Sequence, residues 1–289
     1  MSMASGTFIR LEERGVLRLS GDDRVPFLQG LVSNDVSSVA PGRVVYACLL
    51  TPQGKFLHDF LLVAADGAIL IDCEGPRRAD LLDRLRKFKL RSKIELADVS
   101  DQYAVFATTG AVPSESLAYP DPRASEVGWR ALLPRETADA SLVALGFSPE
   151  SPEDYEKRRI RAAIPDGSRD MEPGKATLLE SNIDLLNGIS WDKGCYMGQE
   201  LTARIRYRGL VKKRLVPIRI SGASPAIGEP LIESGREVGE MRSSAGDVGL
   251  ALLRLDRVRE GGVIKTASAT FEPVPPPRMA EVLAEAAEA

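Results

Sequence analysis

The sequence predicts an α+β protein that ends in a small β-barrel, and two patterns lead to this prediction. In the N-terminal part, apolar runs typical of strands alternate with segments whose apolar residues recur at helical spacing. From Leu210 onward the pattern changes to short strands broken by glycine and proline, which is typical of a small barrel. With 289 residues, 44% of them apolar, the chain can bury a sizeable core.

The N-terminal elements are predicted in the following order. Thr7–Leu19 is a strand region, and the acids Asp22 and Asp23 favour the start of a helix that runs to about Val32. Arg43–Leu50 and Lys55–Ala64 should form a hairpin, because a four-residue turn with proline and glycine separates them. Three strands, one helix and a loop follow: Ala68–Cys73, Lys93–Val99 and Tyr103–Thr108, with Arg77–Lys89 helical and Ala111–Ser125 a loop.

The C-terminal half opens with a strong helix start. Ser151 can cap the helix, Pro152 fits its first position, and the helix should run to about Ala163. Ile164–Lys193 is irregular and rich in turn residues, which often marks a functional segment. The barrel strands are predicted at Leu215–Ile220, Glu237–Ser243, Gly249–Leu255 and Thr266–Phe271, and the tail Met279–Ala289 as a frayed helix or a disordered segment.

Composition and charge argue against several classes of protein. The net charge of −3 gives the whole chain no attraction to nucleic acid or to an anionic membrane, so such an affinity would need a local patch. No run approaches the roughly 18 apolar residues of a membrane span, and the start lacks the features of a secretory signal. Three cysteines and one histidine at long spacings predict neither a disulfide framework nor a self-contained zinc site. We therefore expect a cytoplasmic protein with no bound metal and no membrane partner.

Cys195 is the residue with the clearest chemical potential. It lies between Gly194 and Gly198, which allow close approach of a ligand or positive φ, and Lys193 is near enough in sequence to favour a thiolate. Such a thiol suits a nucleophile, a redox sensor or one ligand to a metal cluster, and the alternative is a small buried apolar residue. Cys48 and Cys73 lie in apolar strand-like runs, where packing is the expected role.

The segment around this cysteine, Lys193-Gly-Cys-Tyr-Met-Gly-Gln-Glu200, is similar to the signature of the YgfZ-type folate-binding family. That family is related to the glycine-cleavage T-protein and includes a mitochondrial iron–sulfur assembly factor. Four further segments resemble the family in the same order, so the resemblance covers nearly the whole chain: Leu28–Val36, Leu50–Lys55, Leu179–Ile189 and Gly235–Ser244.

The resemblance implies a T-protein-like folate-binding fold of ferredoxin-like units around a central cavity, followed by a β-barrel. It places the folate-binding region at residues 1–208, with an inner subdomain at about 95–150, the barrel at 209–278 and a tail at 279–289. It implies a role in the maturation or repair of iron–sulfur enzymes, and through them indirectly in tRNA modification. Tetrahydrofolate is the implied ligand, and iron–sulfur client or assembly proteins are the implied partners.

The resemblance also assigns candidate site residues. Cys195 is the central thiol. In T-proteins a carboxylate manages the protons at the folate nitrogens, and the corresponding pair here is His58 and Asp59, which strand alternation sends to opposite faces. Together with the matched segments, the resemblance gives these folate-binding candidates: Asn34, His58, Asp59, Lys193, Gly194, Tyr196, Gly198, Gln199, Glu200 and Arg204.

Two alternatives to a Cys195-dependent maturation factor stay open. One is a tetrahydrofolate-dependent aminomethyltransferase with Asp59 as base, and the other is a non-catalytic folate-binding adaptor. Arg161 stands where T-proteins carry a glutamate that can hold the pterin, and an arginine cannot accept hydrogen bonds from the pterin amino group. This difference disfavours methylene transfer, and whether the protein is an enzyme stays open.

A basic run follows the signature. It contains six cations within eleven residues, and Arg204, Arg206 and Arg208 would share one face of a strand. That face suits a folate tail, a nucleic-acid backbone or an acidic protein, or it is a solvated edge strand. Only Tyr207 could stack on a base, so sequence-specific RNA recognition is not predicted.

Overall fold

The structure is a computed structural model that describes residues 6–112 and 117–285. It divides into two compact units. The first comprises the residues up to Pro52 together with Leu57–Ser151 and Asn187–Met197, and the second comprises Gln53–Phe56, Pro152–Leu186 and the residues from Gly198 onward. Both contain helices and strands, which confirms the predicted α+β class.

Among the described residues from 6 to 149, the chain forms ten strands and three α-helices. The strands are β1 (Gly6–Arg10), β2 (Arg14–Ser20), β3 (Val45–Leu50), β4 (Phe56–Ala65), β5 (Ala68–Glu74), β6 (Glu95–Asp98), β7 (Tyr103–Thr108), β8 (Leu117–Pro120), β9 (Trp129–Pro134) and β10 (Phe147–Pro149). The helices are α1 (Arg24–Gln29), α2 (Arg78–Phe88) and α3 (Ala138–Ala144). One sheet has the order β3-β4-β5-β2-β6 and the other has the order β10-β1-β7-β9-β8.

The first of these sheets has two different faces, because side chains alternate along each strand. One face packs on α1 and α2 through buried residues such as Leu17, Phe60 and Leu85, each worth about 1.5–3 kcal/mol when fully buried. The opposite face of the same strands carries Asp59 and Asp72, which are both buried. The polar residues of this unit therefore lie on the face that the helices do not cover.

Three predictions for this unit need correction. The strand region Thr7–Leu19 is two strands, β1 and β2, which belong to different sheets. Helix α1 is shorter than predicted and ends at Gln29. The predicted loop Ala111–Ser125 contains β8, which pairs with β9; its composition, rich in proline and serine, hid this edge strand. Residues 113–116 of that loop lie outside the described residues.

The described part of the second unit contains five α-helices and six strands. The helices are α4 (Pro152–Arg161), α5 (Gly167–Asp170), α6 (Gln199–Tyr207), α7 (Leu255–Glu260) and α8 (Ala280–Glu285). The strands are β11 (Lys213–Gly222), β12 (Pro230–Glu233), β13 (Arg236–Ala245), β14 (Val248–Arg254), β15 (Ile264–Lys265) and β16 (Ala269–Pro273). They form one sheet of order β12-β13-β14-β11-β16-β15.

This sheet is the predicted barrel, and a glutamate joins its two ends. Glu233 on β12 accepts a hydrogen bond from the backbone N–H of Lys265 on β15, at 3.1 Å, and an ion pair from Arg257. The tail, predicted as a frayed helix or a disordered segment, forms α8 as far as Glu285, and residues 286–289 lie outside the described residues.

The beginning of the basic run is helical and only Lys213 and Arg214 lie on a strand, so Arg204, Arg206 and Arg208 do not form one positive strand face. Arg204 and Arg206 lie on α6, where Arg204 pairs with Glu200 one turn earlier. This spacing of four residues stabilises a helix and does not favour a strand. Arg214 is not part of any surface, because it is buried in β11 and donates two hydrogen bonds to the Asp184 carboxylate.

Among the described residues, no helix combines the length and the apolar character that crossing a membrane requires.

Candidate functional site

Cys195 is an exposed free thiol on the segment Asn187–Met197, while Cys48 and Cys73 are free and buried. Hydrogen bonds fasten this segment to the turn after α1. Ser190 N donates to Ser33 O at 3.0 Å, and Met197 N donates to Gly30 O at 3.1 Å. Because these bonds lie on both sides of the cysteine, the thiol is presented to solvent from a backbone that is held in place.

Lys193 adds a third attachment to the same turn. Its Nζ donates to Val32 O at 2.8 Å and to Asn34 O at 2.6 Å, and it lies 5.4 Å from the centroid of the Tyr196 ring. Burial lowers the pKa of Lys193 to about 8, and the charge of Asp35 opposes this shift. The sequence predicts that Lys193 favours the Cys195 thiolate. In the structure its ammonium group instead donates to backbone carbonyls and so holds the cysteine segment against the turn after α1; we call these two hydrogen bonds the clamp.

Asn34 uses its side chain in contacts within the protein. Its Nδ2 donates to Tyr46 O and to Asn187 O, both at 2.7 Å, and its Oδ1 accepts from Asp35 N at 2.9 Å. Asn34 therefore ties β3 to the beginning of the cysteine segment. Asn187 itself has φ +57, a left-handed conformation that asparagine tolerates better than most residues.

Asp59 lies on the sheet face that α1 and α2 leave uncovered. Tyr46 Oη donates to Asp59 Oδ2 at 3.0 Å, and the two side chains are buried. Burial, and next the charge of Asp59, raise the pKa of Tyr46 well above its usual value, so the phenol stays protonated as the donor. The guanidinium of Arg123 lies over the Tyr46 ring at 5.5 Å. This arrangement could hold or exchange a proton at the carboxylate.

A buried ladder of alternating charges extends from Arg123. Arg123 donates two hydrogen bonds to the Asp121 carboxylate, at 2.9 and 2.7 Å. Arg130 lies 3.7 Å from Asp121 and donates to Asp72 at 3.0 Å. Arg14 donates to the other oxygen of Asp72 at 2.7 Å. Buried charges need such partners. Each charged side chain of the ladder therefore has a partner of opposite charge within this unit.

Sequence reasoning missed Tyr46 and Arg123. A signal for Tyr46 exists, because it stands in an otherwise apolar strand, where a buried hydroxyl needs a partner. No sequence signal identifies Arg123, since its partners become its neighbours only in the tertiary structure.

His58 lies on the other side of the sheet from Asp59. Its Nε2 lies 2.8 Å from Asp80 Oδ2 on α2. Burial, and next the charge of Arg77, lower the pKa of His58 to about 4, so the ring is neutral at pH 7 and Nε2 carries the proton that it donates. The structure therefore separates the two members of the pair, as strand alternation predicts.

Four of the candidates lie in the second unit. Gly198 has φ +82 directly before α6, which favours glycine at this position. A Cβ on Gly54 would lie 2.6 Å from Gly198 O, so Gly54 must be a glycine as well. Gln199 and Glu200 open α6, and Arg204 pairs with Glu200.

Two candidates remain, in the first unit. Tyr196 is buried, and a Cβ on Gly194 would meet nothing within 4 Å. The positive φ that the sequence allows is thus present at Gly198, while the surroundings of Gly194 are open.

Comparison with known proteins identifies two domain families. Residues 8–123 match the GCVT N-terminal domain, and residues 212–281 match the C-terminal β-barrel domain of CAF17. The aminomethyltransferase T of the glycine cleavage system from Bartonella henselae has a similar structure, with a TM-score of 0.75 over 96% of this chain and 87% of that chain. At 14% identity this likeness shows the fold alone, and it confirms the predicted T-protein-like architecture.

Several similar curated proteins share one name. The mitochondrial iron–sulfur cluster assembly factor IBA57 of Mus musculus is 35% identical over 90% of this chain and 81% of its own length. The protein of the same name from Homo sapiens is 32% identical over 89% and 80% of the two chains. The homologue from Mycosarcoma maydis is 33% identical over 86% and 74%. These relatives are named mitochondrial, so the expectation of a cytoplasmic protein is wrong.

Proposed function

We propose that this chain supports iron–sulfur cluster assembly through the thiol of Cys195. The premise is that it belongs to the family of the iron–sulfur cluster assembly factors named IBA57. The observation that carries the proposal is the contrast among the three cysteines. Cys195 is exposed. Burial raises the pKa of Cys48 well above its usual value and that of Cys73 to about 12, so neither is available as a thiolate near pH 7.

The thiol would act as one ligand among several. Within residues 6–112 and 117–285, no group of three or more His, Cys, Asp or Glu side chains could hold a metal ion. Cys195 would therefore lose its proton to solvent and bind an iron of a cluster whose other ligands belong to a partner protein. A single exposed thiol on a fastened loop suits transfer or protection of a cluster that the partner carries.

Complementation tests this proposal. A strain that lacks its own family member receives wild type, Cys195→Ser, or the matched variant Cys48→Ala/Cys73→Ala, which keeps only Cys195. We expect wild type and the single-cysteine variant to restore iron–sulfur enzyme activity, and Cys195→Ser to fail although it folds. Full activity of folded Cys195→Ser overturns the proposal, and so does unfolding of this variant, because the cysteine would then belong to the packed core.

Folate binding is a finer part of the proposal. Asp59 and Tyr46 supply a buried carboxylate with a phenol donor, which suits the protons of a pterin. The residue that replaces the pterin-holding glutamate, Arg161, is exposed at the end of α4 and cannot accept the hydrogen bonds. The residues thus do not complete a pterin site of the T-protein kind, and we propose that tetrahydrofolate binds weakly and without turnover.

An aminomethyltransferase is the second candidate, because the fold likeness and Asp59 favour it. Incubation with an aminomethyl-lipoyl donor and tetrahydrofolate distinguishes the two functions. We expect no methylenetetrahydrofolate above background, since Arg161 removes an acceptor that the reaction's ligand requires. Turnover on the order of 1 per second would favour the enzyme instead.

A further inference from the structure

The turn after α2 carries the most exposed large apolar side chain among the described residues. Leu90 is 89% exposed, and Phe88, two positions earlier, is 40% exposed. Leu90 also has φ +43, a left-handed conformation that glycine or asparagine adopts with less strain at the end of a helix. Within the folded chain, leucine is thus unfavourable here for its exposed surface and for its backbone. The combination of an exposed leucine, a partly exposed phenylalanine and a strained backbone suits an interaction outside the chain.

Cations flank this leucine in the sequence. The segment Arg86–Lys93, which we call the basic turn, holds five of them and no acid: Arg86, Lys87, Lys89, Arg91 and Lys93. The negative end of the helix dipole accounts for the first two, and Arg86 lies 3.7 Å from Asp83. In the described part of the chain, no ion pair within 4 Å reaches the other four. Asp22 and Glu95 line a depression together with Lys89 and Lys93.

We propose that the basic turn docks on an anionic lipid surface. Leu90 and Phe88 enter the boundary between headgroups and acyl chains, and the cations lie at the level of the lipid phosphates. The chain as a whole is negatively charged, with a net charge of −3, so the attraction is local to this turn. The contact is peripheral, because the two apolar side chains reach only the boundary between headgroups and acyl chains.

A lipid surface fits the basic turn better than nucleic acid or an acidic protein does. Three of the five cations are lysines, which act as mobile point charges and do not need the fixed bidentate partners that arginine prefers. The turn has a single aromatic side chain, the partly exposed Phe88, and its tip is the aliphatic Leu90, which cannot stack on a base. A fluid anionic layer accepts such loosely placed charges and also buries the leucine.

Vesicle sedimentation tests the proposal with the full chain. The vesicles are phosphatidylcholine alone, or phosphatidylcholine mixed with phosphatidylglycerol. We expect wild type to bind only the anionic vesicles, less tightly as salt rises. Lys87→Glu/Lys89→Glu/Arg91→Glu should reduce partitioning by about 100-fold or more, at about five-fold for each cation lost. Leu90→Gly should reduce it by about ten-fold while raising the melting temperature, because glycine relieves the backbone strain.

A matched variant controls for net charge. Arg206→Glu/Arg208→Glu/Lys212→Glu makes the same charge change beside another exposed aromatic, Tyr207, and it should bind anionic vesicles as wild type does. Equal loss in this control overturns the proposal, as does wild type that ignores anionic vesicles or Leu90→Gly that binds unchanged. Tight binding of bulk tRNA that depends on the basic turn, without vesicle binding, would assign the turn to nucleic acid and equally overturn the proposal.

Discussion

Tyr46 on β3 donates a hydrogen bond to Asp59 on the neighbouring strand β4, with 3.0 Å between Oη and Oδ2, and both side chains are buried. A buried carboxylate is costly unless donors compensate it. The Tyr46 hydroxyl is one such donor, and the strand order places it there because β3 and β4 are adjacent in the sheet. The same hydrogen bond therefore stabilises the sheet and places a proton donor beside the Asp59 carboxylate.

Removal of this hydroxyl should destabilise the protein. Tyr46→Phe leaves Asp59 Oδ2 without the bond, and we expect the free energy of unfolding to fall by about 1–3 kcal/mol. Tyr207→Phe is the matched control, because Tyr207 is 75% exposed, and it should stay within about 0.5 kcal/mol of wild type. Urea denaturation measures both. Equal stability of the two variants would show that the buried bond contributes nothing.

Folate binding should depend more on Asp59 than on His58. The two side chains lie on opposite faces of β4, and His58 is engaged by Asp80 on the helix side. We expect tetrahydrofolate to bind in the micromolar range or more weakly, about −8 kcal/mol or less in magnitude, and Asp59→Ala to weaken binding more than His58→Ala. Isothermal calorimetry measures this order. The reverse order, or no heat with millimolar folate, would contradict the expectation.

Alkylation at neutral pH should label Cys195 first. It is exposed, whereas Cys48 and Cys73 are buried with raised pKa values, so their thiolates are scarce. Mass spectrometry of peptides after timed labelling gives the three rates. Cys195→Ser should change the free energy of unfolding by no more than about 1 kcal/mol. Labelling of Cys48 or Cys73 as fast as Cys195 would deny the difference in environment.

Loss of the Lys193 ammonium group should loosen the cysteine segment. Lys193→Met leaves the carbonyls of Val32 and Asn34 without these donors, and we expect a cost of about 1–3 kcal/mol. Hydrogen exchange should also accelerate at the amides of Ser190 and Met197, which fasten the same segment. Lys212→Met, at an exposed lysine, is the control. Unchanged exchange in Lys193→Met would mean that the clamp does not hold the loop.

Acid should destabilise the protein partly through His58. Burial and Arg77 lower its pKa from 6.5 to about 4 in the folded state. Between these values the unfolded chain binds a proton at His58 that the folded chain does not, so stability falls as the pH drops from about 6.5 towards 4. His58→Gln lacks this proton. Between about pH 6.5 and 4, the free energy of unfolding of His58→Gln should therefore fall less than that of wild type, by up to about 1.4 kcal/mol per pH unit. Parallel curves of stability against pH for the two proteins would refute the assignment.

Local pattern was sufficient for several parts of the fold. The hairpin of β3 and β4 follows from two apolar runs around a proline–glycine turn, and the barrel follows from short strands with glycine and proline between them. The opposite orientations of His58 and Asp59 follow from strand alternation alone. Where local pattern was ambiguous, prediction failed. Arg204 and Arg206 alternate as strand residues would, yet the pair of Glu200 and Arg204 belongs to a helix.

The sequence by itself determined the fold class, the family resemblance and the choice of Cys195, because these depend on residue types and on short spacings along the chain. Only the tertiary structure decided which groups meet. Lys193 reaches the carbonyls of Val32 and Asn34 across about 160 positions of sequence, and the partners of Tyr46 come from another strand and another loop. Hydrogen bonds and charges act over a few ångströms whatever the sequence separation. For this reason the clamp on the cysteine segment, the buried pair at Asp59 and the strained leucine at the tip of the basic turn became visible only in the folded chain.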